Sequence, residues 1–124
     1  MTSFREWDSE VGGVLVVLID VLNSCHRSCG ERCSTSLGPH ADQLRAASRD
    51  VEAWLASHSG PSPDLNVQLA RVARSFAFLG TTLDVLTESG SPVSWQVIDR
   101  ELRGLHTLIQ QTLQMMNEWT SRHP

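Results

Sequence analysis

The chain has 124 residues, ten of them Arg and none Lys, with 14 acidic residues and a formal net charge of −4. That length is enough for one domain that buries a core without metal or disulfide staples. An apolar content of 40% argues against a disordered chain, and the negative balance argues against binding that relies on general attraction to phosphate. Most exposed sites accept Arg or Lys equally well, so ten against zero does not arise site by site. Two readings stay open: coding bias in a GC-rich bacterial or viral genome, or avoidance of lysine-directed modification.

The first helix is expected over about residues 3–29. Ser3 and Glu6 make a capping-box pattern. Phe4, Trp7, Val11, Val14, Leu18, Val21 and Cys25 then recur at alternating spacings of 3 and 4, one face of a helix. Gly12, Gly13 and the β-branched run after them are compatible with a short buried strand. The unbroken helical period on both sides decides for helix. The apolar run Val11–Leu22 has only twelve residues and contains Asp20, so no membrane span is expected. The segment before it carries one Arg against three acids, unlike a secretory signal. Leu22-Asn23-Ser24-Cys25 only faintly follows a lipoprotein cleavage box. A cytoplasmic or otherwise intracellular protein is the expectation.

The clusters Leu37-Gly38-Pro39, Ser59-Gly60-Pro61-Ser62-Pro63 and Ser89-Gly90-Ser91-Pro92 punctuate the rest of the chain. They delimit helices over about 39–58, 63–88 and 92–121. The second helix carries Leu44, Val51, Trp54, Leu55 and His58 on one side, helped by Ala47. The third has the cleanest stripe: Leu65, Leu69, Val72, Phe76, Leu79, Leu83 and Leu86. The fourth repeats it with Trp95, Ile98, Leu102, Leu105, Ile109, Leu113, Met116 and Trp119. Gly80 and Gly104 interrupt good helical sequence, which suggests close helix–helix approach at each. Four such helices on short connections make an all-α, antiparallel four-helix bundle of a single domain, residues 1–124.

Catalytic signatures are missing from the sequence: it has no nucleophile elbow, no H-E-x-x-H, no phosphate loop and no Glu-x-x-His pair. A non-enzymatic protein with no cofactor is therefore expected. His106, beside the fourth stripe, reads as a boundary residue. Cys25, Cys29 and Cys33 lie along one side if the helix continues that far, with His26 and His40 nearby. Reduced, partly buried thiols are the leading reading, with a soft-metal site, an intermolecular disulfide or acylation as the others; the second ligand pair of a structural zinc site is missing. Paired arginines at Arg71 and Arg74 and at Arg100 and Arg103 are too mixed with acids to indicate nucleic acid.

The most informative feature is apolar surface beyond what one core face uses. Behind the first stripe lie Val16, Val17 and Ile19, with Gly12 and Gly13 one turn earlier. Phe78 and Val85 stand seven residues apart off the third stripe, near Arg71 and Arg74. Two readings cover the first helix: it is central in its own fold, or it packs on another chain. The expected function is a protein–protein interaction module or adaptor subunit, a homodimer through the back of the first helix. Gly12, Gly13, Val16 and Ile19 would form that contact, with Arg71, Arg74, Phe78 and Val85 as a second. The alternative is a small metal- or redox-responsive helical protein using the three cysteines.

Overall fold

A computed structural model describes residues 4–30, 37–58, 62–88 and 94–122, with side chains omitted at 4–8, 28, 29 and 37. Four helices account for nearly all of them: α1 (Phe4–Gly30), α2 (Leu37–Ser57), α3 (Pro63–Glu88) and α4 (Trp95–Arg122). No strand occurs among the described residues. The β-branched run of α1 is helical throughout, because its apolar period matches a helix and the described residues offer no strand to pair with it. Ser3, and the side chains of Phe4, Glu6 and Trp7, lie outside the described residues.

The ends follow local chemistry. Ser62 Oγ accepts the Asp64 backbone N–H at 3.2 Å, capping α3, and Pro63 takes the first helical position, where an N–H is not needed. At α4 the Ile98 N–H bonds the Ser94 carbonyl, so the helix starts at Trp95 rather than near Pro92. α2 starts earlier than its proline suggests, since Gly38 and Pro39 sit inside the first turn, where proline is tolerated.

Each helix packs on two neighbours in the ring α1–α2–α3–α4. Side-chain bonds fix the alternating direction. Trp54 near the end of α2 donates to Glu10 near the start of α1. Arg45 near the start of α2 donates to Asp84 near the end of α3. Gln68 early in α3 donates to Thr112 late in α4. The result is an antiparallel up-down-up-down bundle. α1 occupies one corner of it and is not central.

The core departs from the expected stripes on α1 and α4, and on α2 Trp54, Leu55 and His58 are only half-buried. On α1 the fully buried positions are Val11, Leu15, Leu18, Leu22 and Cys25, while Val14 and Val21 are half-buried flanks. The phase of the helix puts 11, 15, 18, 22 and 25 toward the core and leaves Val14 and Val21 on its flank. On α4 the row Ile98, Leu102, Leu105, Ile109 continues to Thr112, not Leu113, because the 4–3 alternation lands there. Thr112 is fully buried and its hydroxyl donates to the Leu108 carbonyl at 2.8 Å while accepting from Gln68 Nε2 at 3.1 Å. The polar pair is thus satisfied inside the core, and Leu113 is left at the surface.

α2 and α3 form the most intimate pair. Gly80 faces the Ala41 carbonyl oxygen and Arg45 Cγ, each 3.0 Å from where a Cβ would stand. Over this contact Arg45 bridges Asp84 of α3 and, at 2.6 Å, Asp42 on its own helix. These two carboxylates, Asp84 foremost, raise the guanidinium pKa above its already high ordinary value. Gly104, by contrast, has nothing within 4 Å of a Cβ position, so the close approach expected there does not occur.

Candidate interaction faces and a cleft between α1 and α2

The core is filled by one stripe from each helix, and large apolar residues remain outside it. Val16 (57% exposed) and Val17 (56%) are left bare on α1. Phe78 (64%) and Val85 (60%) stand on α3, joined by Val67, which extends the same helix face two turns N-terminal of Arg74. Arg71 and Arg74 are exposed on that face between them. Sequence reading passed over Val67 because a single valine between Asn66 and Gln68 carries no periodic signal.

The expected α1 set is not one surface. Val16 is exposed, but Ile19 is half-buried and packs against the core. At about 100° per residue, Val16 and Val17 point to different sides of the helix. Val17 and Gly13 turn toward α2, where they border a cleft of about 590 Å³. Gly12 and Gly13 meet nothing within 4 Å of a Cβ position, so the bundle's own packing has no need of them. Each lowers helix stability by up to about 1 kcal/mol relative to Ala.

The cleft is floored by Val14, Leu18, Ala47 and Val51 and walled by the Trp54 and His58 rings. Those rings stack at 4.5 Å and 6°. Trp54 Nε1 donates to Glu10 Oε2 at 3.3 Å, and His58 Nε2 approaches the same oxygen at 3.2 Å. His58 Nδ1 lies 2.9 Å from the Trp54 carbonyl, which can only accept, so Nδ1 donates there. Asp50 adds a second carboxylate to the rim. Sequence reading put Trp54 and His58 in the core stripe. Both are half-buried, and the fold joins them to Glu10 across the 44 residues separating Trp54 from it.

A smaller groove of about 460 Å³ lies on the opposite side of the bundle, between α3 and α4. There Phe78, Leu105 and Leu108 meet Arg74 and Glu101 over the bare backbone of Gly104.

Cys25 is fully buried in the core cluster and behaves there as a small hydrophobe. The described part of α1 reaches Gly30. Cys33 and the side chain of Cys29 lie outside the described residues, within which no group of three metal-ligating side chains occurs.

Comparison with protein families, curated proteins and solved structures finds no match to this chain.

His106 is half-buried and meets the His26 ring edge-on at 5.8 Å. Burial, and secondarily the His26 charge, lowers its pKa below the ordinary 6.5. The unfolded chain therefore accepts a proton that the folded chain declines. Stability is full above about 6.5 and falls as pH drops through the lower native value. Urea midpoints at pH 7.5 and pH 5.5 should consequently differ more for the wild type than for His106→Gln. Equal differences would show that the ring is not shielded.

Proposed function

We propose that the chain is a non-enzymatic protein–protein interaction module, an adaptor-type subunit that self-associates with the outer side of α1 as one half of the contact. One observation carries this reading: Val16 and Val17 stay more than half exposed on a bundle whose core is already complete. Apolar surface in water costs about 25 cal/mol per Å², so two large exposed aliphatics on adjoining sides of one helix favour a protein cover. The two glycines beside it support the same reading, since they weaken α1 without serving the chain's own packing.

The stretch Ser9–Arg27 is also long and apolar enough, by length and composition, to cross a bilayer. Glu10, Asp20 and Arg27 fall within it, and a charged residue near mid-membrane costs about 2.5–3.5 kcal/mol. One side of this helix is the bundle core. Protein rather than lipid is therefore the favoured cover.

The test is the solution mass of the wild type and of a Val16→Glu, Val17→Glu variant, followed by light scattering from micromolar to millimolar concentration. The wild type should associate, and the variant should remain monomeric with an unchanged helical circular dichroism spectrum. A variant that associates like the wild type overturns the α1 contact. A monomeric wild type that floats with anionic vesicles transfers the face to a membrane role.

A further inference from the structure

Building on the self-association reading, we infer that the cleft between α1 and α2 receives the α3 face of a second copy, with Phe78 as the anchor and Arg74 and Arg71 set against Asp50 and Glu10. The cleft has apolar walls and an acidic rim: Val14, Val17 and Val51 within, Glu10 and Asp50 at the edge. The α3 face has the complementary composition, one large exposed aromatic with two exposed arginines one and two turns before it.

The spacing along the helices matches as well as the charge. On α3, Arg74 precedes Phe78 by four residues and Arg71 by seven, about 6 and 10.5 Å at 1.5 Å per residue. On α1, Glu10 precedes Val17 by the same seven residues. If α3 of the second copy runs parallel to α1 with Phe78 over Val17, Arg71 arrives at the level of Glu10. On the antiparallel α2, Asp50 lines the same cleft as Glu10 and Val17 and offers Arg74 a carboxylate. Trp54 donates to Glu10 Oε2, the oxygen that His58 Nε2 also approaches, and Oε1 is placed to accept from an outside guanidinium. A cleft of about 590 Å³ has room for a phenylalanine ring and the stems of its neighbours.

The two surfaces lie on opposite sides of the ring of helices, one between α1 and α2, the other on the groove between α3 and α4. The contact is therefore head-to-tail and does not close on two copies. Association continues past the homodimer that an isologous α1 contact would give.

Charge reversal tests the pairing. Asp50 and Arg74 are both exposed, so Asp50→Arg and Arg74→Asp are compatible with the fold, which circular dichroism checks. Sedimentation velocity should show the wild-type mass rising past two copies with concentration. Each single reversal should weaken association at least tenfold, and the chain carrying both should recover to within about threefold of wild type. Association that neither single reversal weakens, or that the double reversal fails to restore, overturns this pairing. A mass that saturates at two copies does the same. In those outcomes the self-association reading stands if Val16→Glu, Val17→Glu still abolishes association, whereas a wild type monomeric throughout removes that reading as well.

Discussion

Phe76→Ala lowers the unfolding free energy by about 3–5 kcal/mol, the usual cost of deleting a ring from a closed core. Phe76 is the largest of the fully buried side chains and sits midway along α3, the helix with the most regular stripe. α2 and α4 flank it, with Leu44 and Leu102 also fully buried. The helices on either side are held apart by other leucines, so the space left by the ring cannot collapse cheaply. A domain of this size has a total stability of about 5–15 kcal/mol, so the variant is left near the edge of folding. Urea denaturation checks this as a fall in midpoint at constant slope. A loss under about 1 kcal/mol would mean that the core is not packed around Phe76.

Gly80→Val is the second large effect, and its sign runs against helix propensity. Replacing a mid-helix glycine ordinarily gains up to about 1 kcal/mol. Here the new Cβ would stand 3.0 Å from the Ala41 carbonyl oxygen and 3.0 Å from Arg45 Cγ. The first neighbour is helix backbone, and the second belongs to a side chain tied to Asp84 and Asp42. Neither gives way without moving α2, and the branched side chain adds to the crowding. A net loss of about 1–3 kcal/mol is expected from overpacking. Gly104→Ala is the control, because nothing stands within 4 Å of its Cβ position. It should raise the urea midpoint, and a similar rise for Gly80→Val would show that α2 and α3 are not in close contact.

These outcomes bear on function through the stiffness of the scaffold. The tight α2–α3 contact fixes the angle at which α2 presents Asp50 and Trp54 and at which α3 presents Arg74 and Phe78. Near the start of α1, Glu10 meets Trp54 and His58.

Much of this protein was legible in its residue order. The 3–4 alternation of Leu65, Leu69, Val72, Phe76, Leu79 and Leu83 placed α3 to within a residue, since burying one helix face admits only one period. The same logic named Val16, Phe78 and Val85 as residues left outside the core. Local patterning went astray where two candidates lay a residue apart. Leu113 is the more hydrophobic, yet Thr112 holds the core position because the helix phase is set by the whole stripe and Gln68 satisfies its hydroxyl. It could not separate Gly80 from Gly104 either, for a glycine's role depends on what the neighbouring helix brings within 3 or 4 Å. Ile19 and Val16 split for a like reason: α1 sits at a corner, so residues on its flanks are half covered by neighbouring helices and the outermost ones are bare. The sequence by itself determined the number, span and class of the helices and which of them carried more apolar surface than one core needs. Only the tertiary structure decided how that surface was divided, because joining Glu10 to Trp54 and opening a cleft beside Val17 required two helices to meet.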